Sequence, residues 1–313
     1  MVMKGMKRFV IAVLVFVCPV VAYLTILELL VGGIPNSYSY KYNYVKTDGQ
    51  RIEALALGHS QLYDGFMPEA FALPSFNMSN SSQFFVDNYY ILKKLLPYMP
   101  NLKVVIMPIG YIDVGAIGYD STLSDRSCYY HKYMHLNYDG RVPLKYRMEC
   151  FDPHRASDKA KQYYLKHEDI VGCDSLGRRS THSLKDREHP LGYERLLDKY
   201  TTDHHRDLCI KYESYLLKTI QLLKEKQIRL VLVSPPYYWE GFERVNEEQQ
   251  QFVKDYARQL CDSYQIEYID MESDTSYHDE DFFNETHLSE VGAERFTRTL
   301  SDRIVGSTDS VMM

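Results

Sequence analysis

A chain of 313 residues that is 45% hydrophobic can form one large domain, or one domain with a big insertion, and is too apolar for a disordered polypeptide. Its formal net charge of −6 comes without a basic stripe, which argues against nucleic acid as a partner. Tyrosine is abundant, 28 residues against a single Trp; most of these suit ordinary aromatic packing, and a surface subset would suit sugar stacking.

In chain order, Lys4, Lys7 and Arg8 precede an apolar run from Phe9 to about Leu30. That length is near the ~20 residues needed to cross a bilayer. It exceeds the apolar core of a secretory signal, and Val31-Gly32-Gly33 is a weak cleavage sequence, so an uncleaved anchor is expected. The basic flank predicts a cytoplasmic N-terminus and an extracytoplasmic domain. Phe16-Val17 before Cys18 does not fit lipoprotein processing. Pro19 and Glu28 interrupt the run, with Glu28 near enough to its outer end to reach water. Residues 1–33 are thus the basic flank and anchor. Residues 34–50, with the polar stretch Asn36 to Asn43, read as a linker, and 306–313 as a tail.

Between them, residues 51–305 alternate strands with helices. Ala54–Leu57, Ser75–Ser79, Lys103–Ile109, Arg229–Ser234 and Glu267–Met271 read as short buried strands. Phe84–Leu96, Leu208–Lys226, Val245–Tyr264 and Val291–Ile304 carry apolar residues at helical spacing. Continuous apolar strands alternating with helices predict an α/β domain with about five parallel strands covered on both faces. The interval of about 111–205 breaks the rhythm and reads as an insertion capping the active face, with Ser157–Lys166 a helix candidate.

Five cysteines lie beyond the apolar run: Cys128, Cys150, Cys173, Cys209 and Cys261. No C-x-x-C pair occurs, so a structural zinc site is unsupported. Cys128 with Cys150 is the best disulfide pairing, and buried thiols are the alternative. His204-His205 lacks a spaced carboxylate and reads as a solvated pair, not a metal site. No metal and no cofactor are expected.

Two short segments carry the chemistry. Leu57-Gly58-His59-Ser60-Gln61-Leu62-Tyr63-Asp64-Gly65 puts a serine on a tight turn after the first strand. Asn284-Glu285-Thr286-His287-Leu288-Ser289-Glu290-Val291-Gly292 puts a histidine just before the last helix, with Ser289 as its N-cap. A serine at the C-terminal edge of a parallel sheet, met by a late histidine, is an arrangement for nucleophilic acyl chemistry. Ser60 would be the nucleophile and His287 the base.

Gly58-x-Ser60-x-x-x-x-Gly65 resembles the first block of the SGNH (GDSL-like) hydrolases, and Asn284-x-x-His287-Leu288-x-x-x-Gly292 their last, usually Asp-x-x-His. The resemblance covers about residues 50–305 and implies a three-layer, flavodoxin-like sheet. The anchor, a first block without GDS and the insertion look more like the cell-envelope branch, which includes the D-alanine transfer protein of teichoic acids and alginate-type O-acetyltransferases. It implies an O-acyltransferase or esterase; the extracytoplasmic anchor adds a cell-envelope glycan or a small acyl ester as the expected substrate, and leaves open whether a membrane-bound partner loads the acyl donor.

Three positions depart from the family. Asn284 holds the acid position, with Asp281 as the substitute carboxylate. Gly110-Tyr111-Ile112-Asp113 matches the third block with Ile112 in place of the oxyanion asparagine. The second-block glycine falls near Ser82 in Asn77-Met78-Ser79-Asn80-Ser81-Ser82, so the backbone N–H of Ser60 with that of Ser82 or Asn80 would form the oxyanion hole. Gly58 and His59 are assigned to the oxyanion and substrate side. These departures also admit a catalytically silent glycan-binding or assembly protein on the same fold, with the Tyr-rich insertion as its surface.

Overall fold

The structure is a computed structural model that describes residues 2–115, 126–139, 143–179, 182–187, 201–202 and 208–309. It divides into two units: Met1–Ser39 with Thr122–Val171, and Tyr40–Ser121 with Gly172–Met313. The interval read as one insertion therefore contributes to both.

The larger unit holds five parallel strands: β1 (Ala54–Ala56), β2 (Ser75–Asn77), β3 (Val104–Pro108), β4 (Arg229–Ser234) and β5 (Glu267–Asp270), in the order β2-β1-β3-β4-β5. This is the flavodoxin-like order, in which the winding reverses between β1 and β3. The strands are short and β3 is buried throughout, as a sheet covered on both faces demands. Ala54, Ala56, Val104, Ile106, Val231 and Val233 share a core with Phe296, Leu300 and Ile304 of the last helix, Glu290–Asp309. Their neighbours Leu55, Val105, Leu230 and Leu232 point to the other face and are equally buried. There the helix Glu213–Glu225 packs on β4 and on Phe85–Leu95. A separate antiparallel pair, β6 (Phe282–Asn284) and β7 (His287–Leu288), precedes the last helix.

Some elements differ from the sequence reading. The helix expected from Leu208 starts at Glu213, because Ile210 bridges to Val114 and the Lys211 N–H donates to the Asp113 carbonyl. The stretch read as a linker folds as a helix, Ser37–Asp48. Lys41 on it is fully buried, its ammonium 4.0 Å above the Tyr63 ring and donating to the Ser79 carbonyl.

The smaller unit is built on α1 (Val2–Gly32), whose segment Gly5–Gly32 is long and apolar enough to cross a membrane. Among the described residues this unit also holds the α-helices α2 (Ser127–Tyr133) and α3 (Pro153–Tyr164). Leu27, Val31 and Ile34 pack against Ala156, Ala160 and Tyr163. Glu28 does not turn to water as expected. It pairs with Lys132 at 2.6 Å and accepts the Cys150 N–H at 2.9 Å. Among the described residues no disulfide forms, so the Cys128–Cys150 pairing is replaced by two buried thiols. Burial pushes the Cys128 thiol up to about 12. Tyr38, Tyr129, Tyr130 and Tyr133 mostly stack on one another.

Candidate active site

The serine block lies at the switch point of the sheet, just past the C-terminal end of β1, where open α/β sheets place their ligands. Gly58 has a steric reason: a Cβ there would lie 2.2 Å from Pro108 Cδ at the end of β3. The chain then turns into the short helix Ser60–Gly65. His59 is its N-cap, with Nδ1 accepting the Gln61 N–H at 3.4 Å. Ser60 is the first helical residue and is half-buried. Its N–H meets no acceptor among the described residues, as expected of a first-turn amide.

His287 arrives on β7. Its Nε2 lies 2.8 Å from Ser60 Oγ, and its Nδ1 lies 2.8 Å from Asn284 Oδ1. The tautomer follows from the other bonds to Asn284. Oδ1 also accepts the backbone N–H of Thr286 at 3.1 Å and of His287 at 3.0 Å. It is therefore held as an acceptor, so Nδ1 brings the hydrogen and Nε2 presents its lone pair to the Ser60 hydroxyl. Gly292 secures this end: a Cβ there would lie 2.0 Å from the Asp281 carbonyl. Ser289 Oγ accepts the Gly292 N–H at 3.3 Å, the cap read from sequence.

Asp281 is placed elsewhere. Its carboxylate accepts the His278 N–H at 2.8 Å and pairs with Arg295 at 3.1 Å. That engagement corrects its reading as the orienting acid, because it holds the turn while Asn284 holds the ring.

A carboxylate does reach the histidine, from a residue the sequence reading passed over. Asp64 is four residues after Ser60 on the same short helix and is completely buried. Its Oδ2 lies 3.7 Å from His287 Nε2 and 3.3 Å from His182 Nδ1, and its Oδ1 lies 2.9 Å from Arg179 Nε. Burial pushes the Asp64 carboxyl up, but the hydrogen bond from His182 and the Arg179 charge outweigh it and hold the group below its ordinary value. Arg179 also reaches Ser81 Oγ, and its guanidinium sits 4.8 Å over the Tyr63 ring. The i, i+4 spacing of Ser60 and Asp64 was the available signal. Arg179 and His182 come from the aperiodic insertion and gave none.

Asp64, His182 and His287 each offer one ligand atom within 4.8 Å of the others, a spacing that fits a cation. Arg179 already supplies positive charge at Asp64, and His287 Nε2 faces Ser60, so the set is an ion-paired acid–base cluster. His204 and His205 lie outside the described residues.

Of the oxyanion candidates, Ser82 lies in the turn after β2. It is half-buried at φ +54, the left-handed region that favours glycine. Among the described residues its N–H meets no acceptor. Asn80 is corrected: its N–H donates to the Gly58 carbonyl at 3.1 Å, its amide donates to Gln83 at 3.2 Å, and it is 1% exposed. Gly58 and His59 are corrected too. Both are buried in packing and capping, and His59 Nε2 faces the Asp113 carboxylate at 3.5 Å. Ile112 packs against Tyr111, Tyr237 and Phe242, so its position supplies no side-chain donor.

A buried polar layer backs the serine turn. Glu272 Oε1 accepts the Tyr111 N–H at 2.8 Å, and burial pushes its carboxyl up to about 8.

No family model matches the chain, and no curated protein matches it. Solved structures similar to it include a candidate platelet activating factor from Streptococcus pneumonia, at 13% identity and TM-score 0.42, covering 85% of this chain and 90% of that one. Another is the lipase/acylhydrolase from Enterococcus faecalis, at 12% identity and TM-score 0.40, covering 82% and 97%. A third is a candidate acylhydrolase from Bacteroides fragilis, at 8% identity and TM-score 0.42, covering 87% and 95%. Likeness this slight transmits no function, which has to come from the side chains.

Proposed function

We propose that the chain is a serine-dependent acyltransferase or carboxylic-ester hydrolase of SGNH type. The observation that carries the reading is the relay Ser60–His287–Asn284, with both links at 2.8 Å. His287 Nε2 takes the Ser60 proton as Oγ attacks an acyl carbonyl, forming the Oγ–C bond and a tetrahedral oxyanion. The Ser60 and Ser82 amides are the donors proposed for that oxygen. Collapse expels the alcohol, which receives the proton back from His287. A second alcohol, or water, then takes the acyl group from Ser60 by the same steps in reverse.

The apolar helix α1, with its basic flank, supports an uncleaved, single-pass anchor with the N-terminus cytoplasmic and the domain outside. An enzyme tethered there suits a cell-envelope glycan as acceptor, with a membrane-bound partner supplying the acyl donor. The direct test is acetyl-ester turnover by the purified protein, wild type beside Ser60→Ala. Equal rates would remove Ser60 from the chemistry.

One observation favours a second reading. Asn284 brings no charge, and in the serine-protease triad an Asp-to-Asn change costs ~10⁴ in rate. A silent glycan-binding or assembly protein tolerates this. An active-site serine probe that leaves Ser60 unlabelled in a folded sample that still binds glycan would support this alternative.

A further inference from the structure

The smaller unit carries a pocket that acyl chemistry does not use. We propose that it binds the phosphate headgroup of an anionic phospholipid in the bilayer that carries α1; this rests on reading α1 as a membrane anchor.

The pocket has a volume of about 170 Å³ and is lined by Tyr129, Lys145, Tyr146, Glu149, Arg155 and Lys159, among others. Its charges are unequal in their commitments. Glu149 is already matched by Lys159 at 2.7 Å and Lys132 at 3.2 Å, and by the Tyr133 hydroxyl. Asp152 caps α3 through the Arg155 N–H at 3.1 Å. Lys145 and Arg155 have no carboxylate partner among the described residues. Lys145 lies 4.5 Å over the Tyr146 ring, and Arg155 lies 5.8 Å from the centre of the Tyr129 ring. Two uncommitted cations on aromatic walls suit an anion with bulk around it.

Depth selects the source of that anion. Tyr23 Oη bonds Ser157 Oγ at 3.0 Å. Tyr23 lies inside the apolar run, seven residues before Leu30, or ~10 Å along the helix axis. A bilayer around α1 therefore places the first turns of α3 at the level of headgroups and upper acyl chains. Arg155 and Lys159 flank Ser157 by two residues on either side. Phe151 and Leu144 beside the pocket are 50% and 61% exposed, as apolar residues are at a membrane interface. Basic side chains with apolar stems extend naturally to phosphates there.

The test uses the full chain in a neutral detergent, titrated with short-chain phosphatidylglycerol, short-chain phosphatidylcholine or inorganic phosphate. Thermal unfolding and native mass spectrometry are the readouts. Phosphatidylglycerol is expected to raise the unfolding temperature and remain bound, phosphatidylcholine and phosphate are not. Arg155→Gln and Lys145→Ser should each weaken phosphatidylglycerol binding at least ~10-fold. Arg155→Lys should recover part of it. Equal effects of the two lipids, an equal effect of inorganic phosphate, or undiminished binding by both weakened variants would overturn the proposal. Alkaline extraction of membranes separates the two readings. Release of the wild-type chain refutes the anchor, whereas retention without a phosphatidylglycerol preference refutes the pocket alone.

Discussion

The group that orients the histidine is an amide, not a carboxylate, and this sets the chemistry to test at single residues. Asn284 fixes the tautomer through three contacts to one oxygen but does not stabilise an imidazolium by charge. Asn284→Asp is therefore expected to raise kcat or leave it little changed, because a carboxylate keeps the acceptor and adds charge. A sharp fall in a folded variant would refute its role as acceptor. Asp281→Asn should cost stability at the Arg295 turn and leave kcat within ~10-fold, as an orienting acid would not. Asp64 supplies the charge that Asn284 lacks, 3.7 Å from Nε2, and Arg179 and His182 share it. Removing it disfavours the imidazolium by taking away the nearby negative charge. The acid limb of the pH–rate profile should then move to lower pH in Asp64→Asn, with kcat reduced. An unmoved limb would leave Asp64 a purely structural residue.

At the scale of the element, the turn after β1 and the loop after β2 are shaped by backbone demands. Gly58→Ala forces a Cβ to 2.2 Å from Pro108, a ring that cannot swing aside. Destabilisation of about 1–3 kcal/mol is expected by denaturant titration, together with lost activity as Ser60 shifts. Ser82 poses the opposite case. Its φ of +54 strains a residue with a Cβ, and its contribution is an N–H rather than a hydroxyl. Ser82→Gly keeps the amide and relieves the strain, so equal or greater stability is expected with kcat retained. A fall beyond ~10-fold would assign the work to the hydroxyl.

For the whole molecule, buried ionisable groups write a pH dependence into folding. The Glu272 carboxyl rises from 4.5 to about 8 on folding. Between those values the native state holds a proton that the unfolded state has lost. Its contribution is complete below pH 4.5 and fades as pH rises toward 8. Lys41 falls from 10.5 to about 7, so between those values the unfolded state holds the extra proton, and stability rises with pH. Glu272→Gln keeps the acceptor for the Tyr111 N–H and removes the titration. Urea unfolding should show a flatter profile between pH 5 and 8 for this variant and a gain on the order of a few kcal/mol at pH 8. Parallel profiles would show that Glu272 ionises freely.

The chain's local patterns determined the strands, the apolar N-terminal helix and the serine and histidine blocks. Periodicity and turn chemistry act over a few residues and are visible without a fold. The five-strand parallel sheet and the 2.8 Å approach of Ser60 to His287 both grow from those blocks. What lay beyond the sequence was decided by contacts between distant segments. Asn284 and Asp281 are near-equals in sequence, and only the bend of the turn sends one to His287 and the other to Arg295. Arg179 and His182 reach Asp64 from a segment without periodicity, and Lys132 draws Glu28 away from water. The polar stretch after α1 is a helix, and on it Lys41 has a buried place against Tyr63 and the Ser79 carbonyl. A buried charge is tolerable only where its partners converge, and that convergence is a property of the tertiary structure.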